Sequence, residues 1–291
     1  MIVVTGASGK LGRMIVEELM ARRPAQGVGV SVRDPSLVED FARRGVRVRR
    51  GDYTDAASLR DAFAGASQVL MVSSNARATG GDALAQHRIA IDAARKAGAE
   101  RIVYTSHMGA SASSAFAPMH DHAATEAMLA NCGLAWTALR NGFYASTVPN
   151  LIGDAAASGV LAAPRDGKVA WTTHRDLAAG ATAILLADEG IDGPTAPLTA
   201  AEALDLGDVA AIVAQLHARP VERRVTTDDD AAAAMTARGM PPAAVAITLG
   251  LYRAARGGEF ATVDSLLATL IGRPPMRLRE VLGAGIPYGD G

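Results

Sequence analysis

Three glycines near the amino terminus have the spacing of a phosphate-binding turn. Residues 2–12 read Ile-Val-Val-Thr-Gly-Ala-Ser-Gly-Lys-Leu-Gly, so an apolar run leads into Gly6, Gly9 and Gly12. Gly6 permits a sharp turn, Gly9 lets the backbone approach a pyrophosphate, and Gly12 lets a following helix pack closely on the strand. The amino terminus of such a helix offers unpaired N–H groups and partial positive charge to phosphates. The spacing therefore predicts nucleotide or dinucleotide chemistry.

The residues around these glycines help to separate a dinucleotide site from other interpretations. The loop of ATPases requires Ser or Thr directly after Lys, whereas Lys10 is followed by Leu11. The spacing by itself also suits a tight turn that binds nothing. An apolar strand precedes the turn, a helical pattern follows it, and a second strand is predicted over 28–32, so the context favours a dinucleotide.

Arg33 and Asp34 bear on which dinucleotide is bound. Arg33 follows the second predicted strand, 21 residues after Gly12, where an acidic residue would bind a ribose 2′-hydroxyl. An arginine there favours a 2′-phosphate through a charge-assisted pair, so we predict NADP(H). If Asp34 rather than Arg33 faces the ligand, NAD(H) is preferred. Asp52, after the third strand, suits contact with an adenine amino group and also suits a turn or helix cap.

Short apolar strands alternate with helical patterns through the first half of the chain. This alternation predicts right-handed crossovers and a parallel, doubly wound α/β sheet of the Rossmann type, with ligands at the carboxyl ends of the strands. The predicted strands are 2–5, 28–32, 46–49, 69–72, 101–105 and 136–140. The predicted helices are 10–22, 37–44, 57–63, 81–97 and 122–131.

The pattern becomes less regular in the second half. Helical patterns run over 175–186 and 204–218, and prolines punctuate shorter helical pieces after them. We predict an NAD(P)-binding domain over 1–150 and a smaller, mostly helical substrate-binding lobe over 151–291. The chain is expected to return to the main sheet near 196–199.

Composition excludes several classes of protein. The chain has 291 residues, of which 49% are hydrophobic, and a formal net charge of −1, so no strong field points to nucleic acid. The single Cys132 cannot form an internal disulfide, which is typical of a reducing compartment. The first predicted strand starts at residue 2 and no apolar stretch approaches a membrane span, so we expect a cytoplasmic protein without membrane contact.

Six segments together resemble one family. They are residues 1–12, 50–59, 86–106, 122–126 (His-Ala-Ala-Thr-Glu), 139–144 (Leu-Arg-Asn-Gly-Phe-Tyr) and 167–177. Through them the chain is similar to the NmrA-like atypical short-chain dehydrogenases, and among those to the NAD(P)H:quinone oxidoreductases of type 2. The glycine turn is common to a whole superfamily, whereas segments 122–126 and 139–144 are much more specific. The match becomes looser beyond residue 200, where substrate choice would be determined.

The resemblance implies a nicotinamide dinucleotide laid across the carboxyl ends of the strands. It implies a diphosphate at the glycine turn, a 2′-phosphate on an arginine, a ribose after the fourth strand, and a nicotinamide near the fifth and sixth. Gly12 and Asp52, which the spacing of the residues indicates, complete the set of predicted cofactor-binding residues. The set is Gly6, Ser8, Gly9, Lys10, Leu11, Gly12, Arg33, Asp52, Ser73, Ser74, Asn75 and Thr105.

The acid–base pair of the wider superfamily is missing. Its usual members carry Tyr-x-x-x-Lys before the helix near residue 122, and here Pro118 and His122 stand at the Tyr and Lys positions. Alcohol dehydrogenation through that pair is therefore disfavoured. A quinone acceptor fits better, because hydride addition gives a stabilised hydroquinone anion, and catalysis then depends on positioning the rings and excluding water.

Four residues are the candidates for catalytic contact with the acceptor. We predict that Asn141 and Tyr144 position its ring and that His122 or Ser106 supplies a hydrogen bond. Each candidate also suits a structural role: Ser106 ends a strand, His122 can orient the helix, and Tyr144 can pack in the core. His107 is either a further helper or an ordinary loop residue.

Other clusters in the sequence favour no further chemistry. His120, Asp121 and His122 have metal-like spacing, but residues two apart on a helix do not face together and no third ligand is evident, so no metal is expected. The absence of a Gly-x-Ser-x-Gly elbow disfavours a hydrolase. The acidic run 228–230 is interpreted as a helix cap rather than a calcium loop.

Two functions stay open from the sequence. The first is an NAD(P)H-dependent oxidoreductase that reduces a quinone or similar soft acceptor. The second is a non-catalytic NmrA-like sensor that binds NAD(P) and acts through a protein partner, which the missing pair also fits. The apolar helical patterns beyond residue 200 suit either a core or the interface of a homodimer.

Overall fold

Strands and helices alternate along the chain in the order that the sequence pattern predicts. The computed structural model describes residues 1–284, apart from the side chains of residues 78 and 79, and residues 285–291 of the predicted substrate lobe lie outside the described part. The strands are β1 (Ile2–Thr5), β2 (Val28–Val32), β3 (Arg47–Arg50), β4 (Gln68–Met71), β5 (Arg101–His107), β6 (Ala135–Asn141), β7 (Phe143–Tyr144), β8 (Val160–Pro164), β9 (Trp171–Thr172), β10 (Gly193–Pro194) and β11 (Glu222–Thr226). The α-helices are α1 (Lys10–Arg22), α2 (Glu39–Arg43), α3 (Ala56–Phe63), α4 (Ala83–Lys96), α5 (Pro118–Ala130), α6 (Val148–Ile152), α7 (Ala155–Ser158), α8 (His174–Leu186), α9 (Leu206–Leu216), α10 (Asp228–Ala237), α11 (Pro242–Arg256), α12 (Leu266–Ile271) and α13 (Leu278–Gly283).

Within residues 1–284, seven of these strands form one parallel sheet. Its order is β3-β2-β1-β4-β5-β6-β10, so the chain winds outward in both directions from the boundary between β1 and β4. This is the order of the Rossmann arrangement, and the predicted doubly wound fold is confirmed. Ligands of such sheets bind outside the carboxyl ends of the strands, where the strand order reverses.

Helices bury both faces of the sheet. Successive side chains along each strand point to opposite faces, so each strand contributes to two apolar clusters. Val4 and Leu70 belong to the cluster beneath α1, α2, α8 and α12. Val3 and Ile102, on the opposite face, belong to the cluster beneath α3, α4 and α5. With helices covering both faces, the strand ends are the natural place for a ligand.

Two predicted helices differ from the observed ones by more than a shift of one or two residues at an end. α5 begins at Pro118, four residues before the predicted start at 122, because a proline suits the first turn of a helix, where its missing N–H has no partner to lose. The predicted helix over 37–44 is instead a 3₁₀ turn, Pro35–Val38, followed by α2. The longer α5 carries both Pro118 and His122 to the site.

The segments beyond residue 150 build a second apolar core beside the sheet. The parallel pair β8–β11 and the helices α9 and α11 contribute to it, and its buried side chains include Leu161, Val209 and Leu251. The chain also meets the main sheet again, where β10 pairs with β6 and Leu198 bridges Asn141. The division into two domains at residue 150 stays a prediction.

None of the helices in residues 1–284 has both the length and the apolar character needed to cross a membrane. Even α11 has only 15 residues, whereas a membrane span needs about 20.

Candidate active site

The glycine turn between β1 and α1 has the geometry that a bound phosphate requires. Gly6 has φ +61°, and its N–H donates to the Ser31 carbonyl, so the chain turns sharply out of β1. A Cβ on Gly12 would lie 2.4 Å from the Gly6 carbonyl oxygen, so α1 packs closely on the turn. Gly9 is the N-cap residue of α1, and because glycine has no side chain it cannot cap the helix. The first N–H groups of α1 are therefore free of a capping side chain that would compete with a phosphate.

A groove of about 580 Å³ lies along the carboxyl ends of β1 to β4, and we call it the glycine-turn groove. The predicted cofactor residues that line it are Gly6, Ser8, Gly9, Arg33, Asp52, Ser73, Ser74 and Asn75. The lining residues that the sequence analysis did not assign are Val32, Gly51, Tyr53, Thr54, Val72, Ala76 and Gln86. Most of these follow or precede a predicted residue directly, so adjacency to a strand end was the only signal for them.

Four predicted cofactor residues do not line this groove. Leu11 and Gly12 are buried on the core side of α1, so they can offer a ligand only main-chain atoms. Thr105 is 1% exposed, and its Oγ1 accepts a hydrogen bond from the Ser73 N–H at 2.8 Å, so it supports the groove wall from behind. Lys10 lies close enough to His174 for its charge to act on that imidazole. Burial is the main cause that lowers the pKa of His174 to about 4, and the Lys10 charge lowers it further.

Arg33 lines the groove, whereas Asp34 is engaged by its own turn. The Oδ1 of Asp34 accepts from the N–H of Ser36 at 3.0 Å and from its hydroxyl at 2.7 Å. These hydrogen bonds lower the pKa of Asp34 and cap the 3₁₀ turn Pro35–Val38. No hydrogen bond engages Arg33 within residues 1–284, so its guanidinium is available to an anionic group.

Asp52 serves as a turn residue at the wall of the same groove. Its Oδ1 accepts from the Thr54 N–H at 2.9 Å and from the Thr54 hydroxyl at 2.8 Å. The main-chain hydrogen bond is the largest cause of a lowered pKa at Asp52. Contact with an adenine amino group stays a prediction.

The segment that follows β4 is held by side chains of α4. The Ser74 N–H donates to Nε2 of His87 at 2.8 Å, and the Ser74 hydroxyl donates to Gln86 at 2.5 Å. Nδ1 of His87 lies 2.8 Å from Oγ1 of Thr125, whose own proton goes to the Asp121 carbonyl. His87 therefore carries its single proton on Nδ1, in keeping with a pKa that burial lowers to about 4.

A second pocket, of about 260 Å³, opens from the same segment, and we call it the histidine pocket. It is lined by Ser73, Ser74, Asn75, Arg77, His87, Tyr104, Pro118, Asp121, His122 and Ile247. The segment from Ser73 to Asn75 also lines the glycine-turn groove, so the two spaces meet at the end of β4. An ion pair between Arg77 and Asp121, with N–O distances of 2.5 and 2.6 Å, joins this segment to α5.

His122 is the candidate catalytic residue that the structure brings to this pocket. Its Nδ1 lies 2.9 Å from the hydroxyl of Tyr104, a buried residue of β5 that the sequence analysis treated only as strand. Burial is the main cause that lowers the pKa of His122 to about 4, so its imidazole is neutral at neutral pH. A neutral imidazole can donate or accept a hydrogen bond without adding a charge to the pocket.

Ser106 lies away from both spaces. Its hydroxyl donates to Oε1 of Glu126 at 2.6 Å, and Glu126 is also paired with Arg140 at 2.7 Å. Ser106 is only 2% exposed. Its one proton is therefore used inside the fold, which favours the structural alternative that the sequence left open for it.

Asn141 ends β6 and Tyr144 ends β7, and neither residue lines the groove or the histidine pocket. Asn141 is 1% exposed, and its Oδ1 has no hydrogen-bond partner among the residues that the structure describes. The ring of Tyr144 packs 4.3 Å from that of His174, and burial raises the pKa of Tyr144. The structure therefore places this pair next to the start of α8, and its role toward a substrate ring stays a prediction.

The two histidines with metal-like spacing point to different partners. Nε2 of His120 lies 2.8 Å from the Ser114 carbonyl, whereas His122 contacts Tyr104. Among the described residues, no three His, Cys, Asp or Glu side chains are grouped so that they could hold a metal ion.

The fold and the groove together define a Rossmann-type dinucleotide-binding protein. Residues 6–189 match the model of a family described as NAD(P)H-binding. Quinone oxidoreductase 2 of Escherichia coli (strain K12) is 34% identical over 282 residues, which cover 96% of each chain. The NmrA-like family domain-containing oxidoreductase flvB of Aspergillus flavus is 31% identical, over 96% of this chain and 93% of that protein. The chain therefore belongs to the NAD(P)H-binding family, in its NmrA-like group.

A solved structure agrees with this assignment across the whole fold. The crystal structure of the NADPH-dependent quinone oxidoreductase QOR2 of Escherichia coli, in complex with NADPH, matches with a TM-score of 0.90 at 33% sequence identity. The match covers 98% of this chain and 99% of that chain. The family resemblance that the sequence motifs indicate is confirmed.

Proposed function

We propose that this protein is an NADPH-dependent reductase that delivers a hydride to a quinone or a similar soft acceptor. The observation that carries the proposal is the histidine pocket, which opens from the glycine-turn groove and presents a neutral imidazole. Most of its lining residues are polar, but the atoms that they expose to the pocket are mostly carbon. The likeness to an NADPH-dependent quinone oxidoreductase supports the same reaction class.

The glycine-turn groove fits NADPH in its residue types. The turn from Gly6 to Gly9 and the start of α1 would hold the diphosphate, because no side chain caps those N–H groups. Arg33 would bind the 2′-phosphate that distinguishes NADPH from NADH. The segment from Ser73 to Asn75 would lie along the nicotinamide ribose, where the groove meets the histidine pocket.

The acceptor side of the reaction needs only modest help from the chain. When bound, NADPH supplies a hydride, which with one proton from water converts a quinone to a hydroquinone and leaves NADP⁺. His122 would hold the acceptor oxygen by a hydrogen bond, and the pocket walls would orient the ring and exclude water. No lysine lines the pocket, so the pocket lacks the acid–base pair that alcohol dehydrogenation uses. Hydride transfer to a quinone does not require that pair.

NADPH oxidation with a panel of benzoquinones and naphthoquinones tests the proposal, with simple alcohols and NADP⁺ as the contrasting reaction. We expect turnover with several quinones and none with the alcohols. Calorimetry with NADPH should accompany the assay. Tight NADPH binding without turnover of any quinone would overturn the proposal and favour the NAD(P)-binding sensor.

A further inference from the structure

His107 is a buried imidazole that the proposed reaction has not yet used. It ends β5 at the carboxyl edge of the sheet and is 9% exposed. The rings of Phe143 and Phe260 meet it edge-on, with ring centroids 5.2 and 5.4 Å away. The ring of His122 lies 6.0 Å away at an interplanar angle of 34°. His107 therefore lies in an aromatic environment beside His122, which lines the histidine pocket, although His107 is not itself among the residues that line that pocket.

The proton of His107 can be assigned to one ring nitrogen. The Gly109 N–H donates to Nδ1 of His107 at 3.1 Å, so Nδ1 is an acceptor and carries no proton. A neutral imidazole has one N–H group, which is then Nε2–H. This group has no hydrogen-bond acceptor among the residues that the structure describes. A ligand oxygen would satisfy it.

The protonation of His122 depends on its contact with the Tyr104 hydroxyl. Its Nδ1 contacts the Tyr104 hydroxyl, while the nearby Thr125 oxygen already accepts from His87 and donates to a main-chain carbonyl. The Tyr104 hydroxyl can donate to this nitrogen or to the second lone pair of the Thr125 oxygen, and donation to Nδ1 leaves the His122 proton on Nε2. That Nε2–H also lacks an acceptor in the described part of the chain.

We propose that the Nε2–H groups of His107 and His122 donate together to one oxygen of the acceptor and stabilise the oxyanion that hydride addition produces. This inference rests on the proposed function and adds a second catalytic donor to it. Ring centroids 6.0 Å apart bring the two imidazoles close enough for both to reach one acceptor oxygen. The hydride's electron pair enters the acceptor, the charge rests on its oxygen, and water later supplies the proton, so neither imidazole is deprotonated.

The protonation of the two rings suits this task. Burial lowers the pKa of His107 to about 3 and that of His122 to about 4, so both donate as neutral groups at neutral pH. Fixed neutral donors aimed at a developing negative charge are an established source of transition-state stabilisation. They would also favour acceptors that carry charge on oxygen after reduction over those that carry it on carbon or nitrogen.

Two amide substitutions at His107 separate this role from packing. His107→Asn can keep an acceptor for the Gly109 N–H but has no donor at the Nε2 position, whereas His107→Gln places an N–H there and loses the Gly109 contact. We expect kcat with a quinone to fall about ten- to hundredfold in His107→Asn, with KM for NADPH nearly constant, and to fall less in His107→Gln. His217→Asn makes the same change at an exposed histidine and serves as the control.

A ranking in which the Asn variant equals wild type, or the Gln variant is the poorer enzyme, would overturn the inference and indicate packing alone. Quinone turnover by wild type tests the proposed function separately. Long-range ¹H–¹⁵N correlation spectra of the six histidines give a readout without turnover. Nε2–H tautomers at His107 and His122 are expected near neutral pH, and an Nδ1–H tautomer at either would contradict the donor pair.

Discussion

At the scale of single residues, the side chains near the two spaces divide by whether their hydrogen-bonding groups are already used. Arg33 and His122 keep groups without partners in the described residues, and they face the groove and the pocket. Asp34 and Ser106 are equally polar, but the first caps a turn and the second is bonded to a buried glutamate. We therefore expect Arg33 and His122 to contribute to ligand recognition, and Asp34 and Ser106 to contribute to the stability of the fold.

Substitution of Arg33 tests the choice of dinucleotide. Arg33→Gln should raise the Kd for NADPH about ten- to hundredfold, because a charge-assisted pair with the 2′-phosphate is lost, and should leave the Kd for NADH nearly constant. Isothermal titration of both cofactors measures this. Arg60→Gln, at an exposed arginine of α3, is the matched control. Equal weakening of both cofactors would show that Arg33 does not read the 2′-phosphate.

His122 and Ser106 are expected to give opposite phenotypes. His122→Phe should lower kcat with a quinone by about ten- to hundredfold, because the donor to the acceptor oxygen is removed. Ser106→Ala should keep turnover near wild type and lower the free energy of unfolding by about 1 kcal/mol, because a buried hydrogen bond to Glu126 is lost. Steady-state kinetics and urea unfolding of both variants distinguish them, and the reverse pattern would exchange the two roles.

At the scale of elements, the site is made by the ends of strands and by the helices that follow them. β1 and α1 supply the phosphate turn, while β4, β5 and α5 supply the walls of the histidine pocket. The contact of α1 with the turn depends on Gly12, which leaves no room for a Cβ. The segment after β4 depends on a neutral His87, which accepts a hydrogen bond from its main chain. Each element is thus positioned by close contact with a neighbouring element.

A methyl group at Gly12 tests the close packing of α1 on the turn. Gly12→Ala would place a Cβ 2.4 Å from the Gly6 oxygen, so α1 must shift. We expect a loss of about 1–3 kcal/mol in the free energy of unfolding and weaker NADPH binding. Gly257→Ala is the control, because its nearest contact would be an ordinary 3.4 Å. Similar unfolding curves for both variants would contradict the packing argument.

At the scale of the whole molecule, burial keeps several imidazoles neutral. The pKa falls from 6.5 to about 4 for His87, His122 and His174, and to about 3 for His107, with desolvation as the largest cause in each. Because the folded state resists protonation, the unfolded chain binds more protons between about pH 6.5 and pH 4. Stability from these groups is complete above pH 6.5 and is lost as the pH falls toward 4.

Urea unfolding as a function of pH measures this linkage. A pKa shift of about 2.5 units corresponds to about 3.4 kcal/mol for one imidazole, so a loss of several kcal/mol is expected between about pH 7 and pH 4.5. Carboxylates with lowered pKa, such as Asp228 at about 2, act only at lower pH. His107→Gln should reduce the slope in this window. A stability that stays constant down to pH 4.5 would contradict neutral burial of these histidines.

Much of the fold could be predicted because its signals are local. β1, β2 and α1 occur at the predicted bounds, since alternating strands, a helical period and glycine spacing are all properties of short segments. The predicted start of α5 was wrong, because the helix predicted over 122–131 left out Pro118, which suits the first turn of a helix. Tyr104 was missed as a site residue because a β-strand pattern does not say which helix a side chain will meet.

The sequence by itself determined the alternation of strands and helices, the phosphate turn and the family, because each depends on residues close together in the chain. The tertiary structure alone decided which polar side chains are left for a ligand. Ser106 is bonded to Glu126, 20 residues away, while His122 is oriented by Tyr104 on another element. A buried polar side chain needs a hydrogen-bond partner, and that partner often comes from a distant part of the chain. Only folding therefore decides whether the hydrogen-bonding groups of a side chain are already used or are left for a ligand.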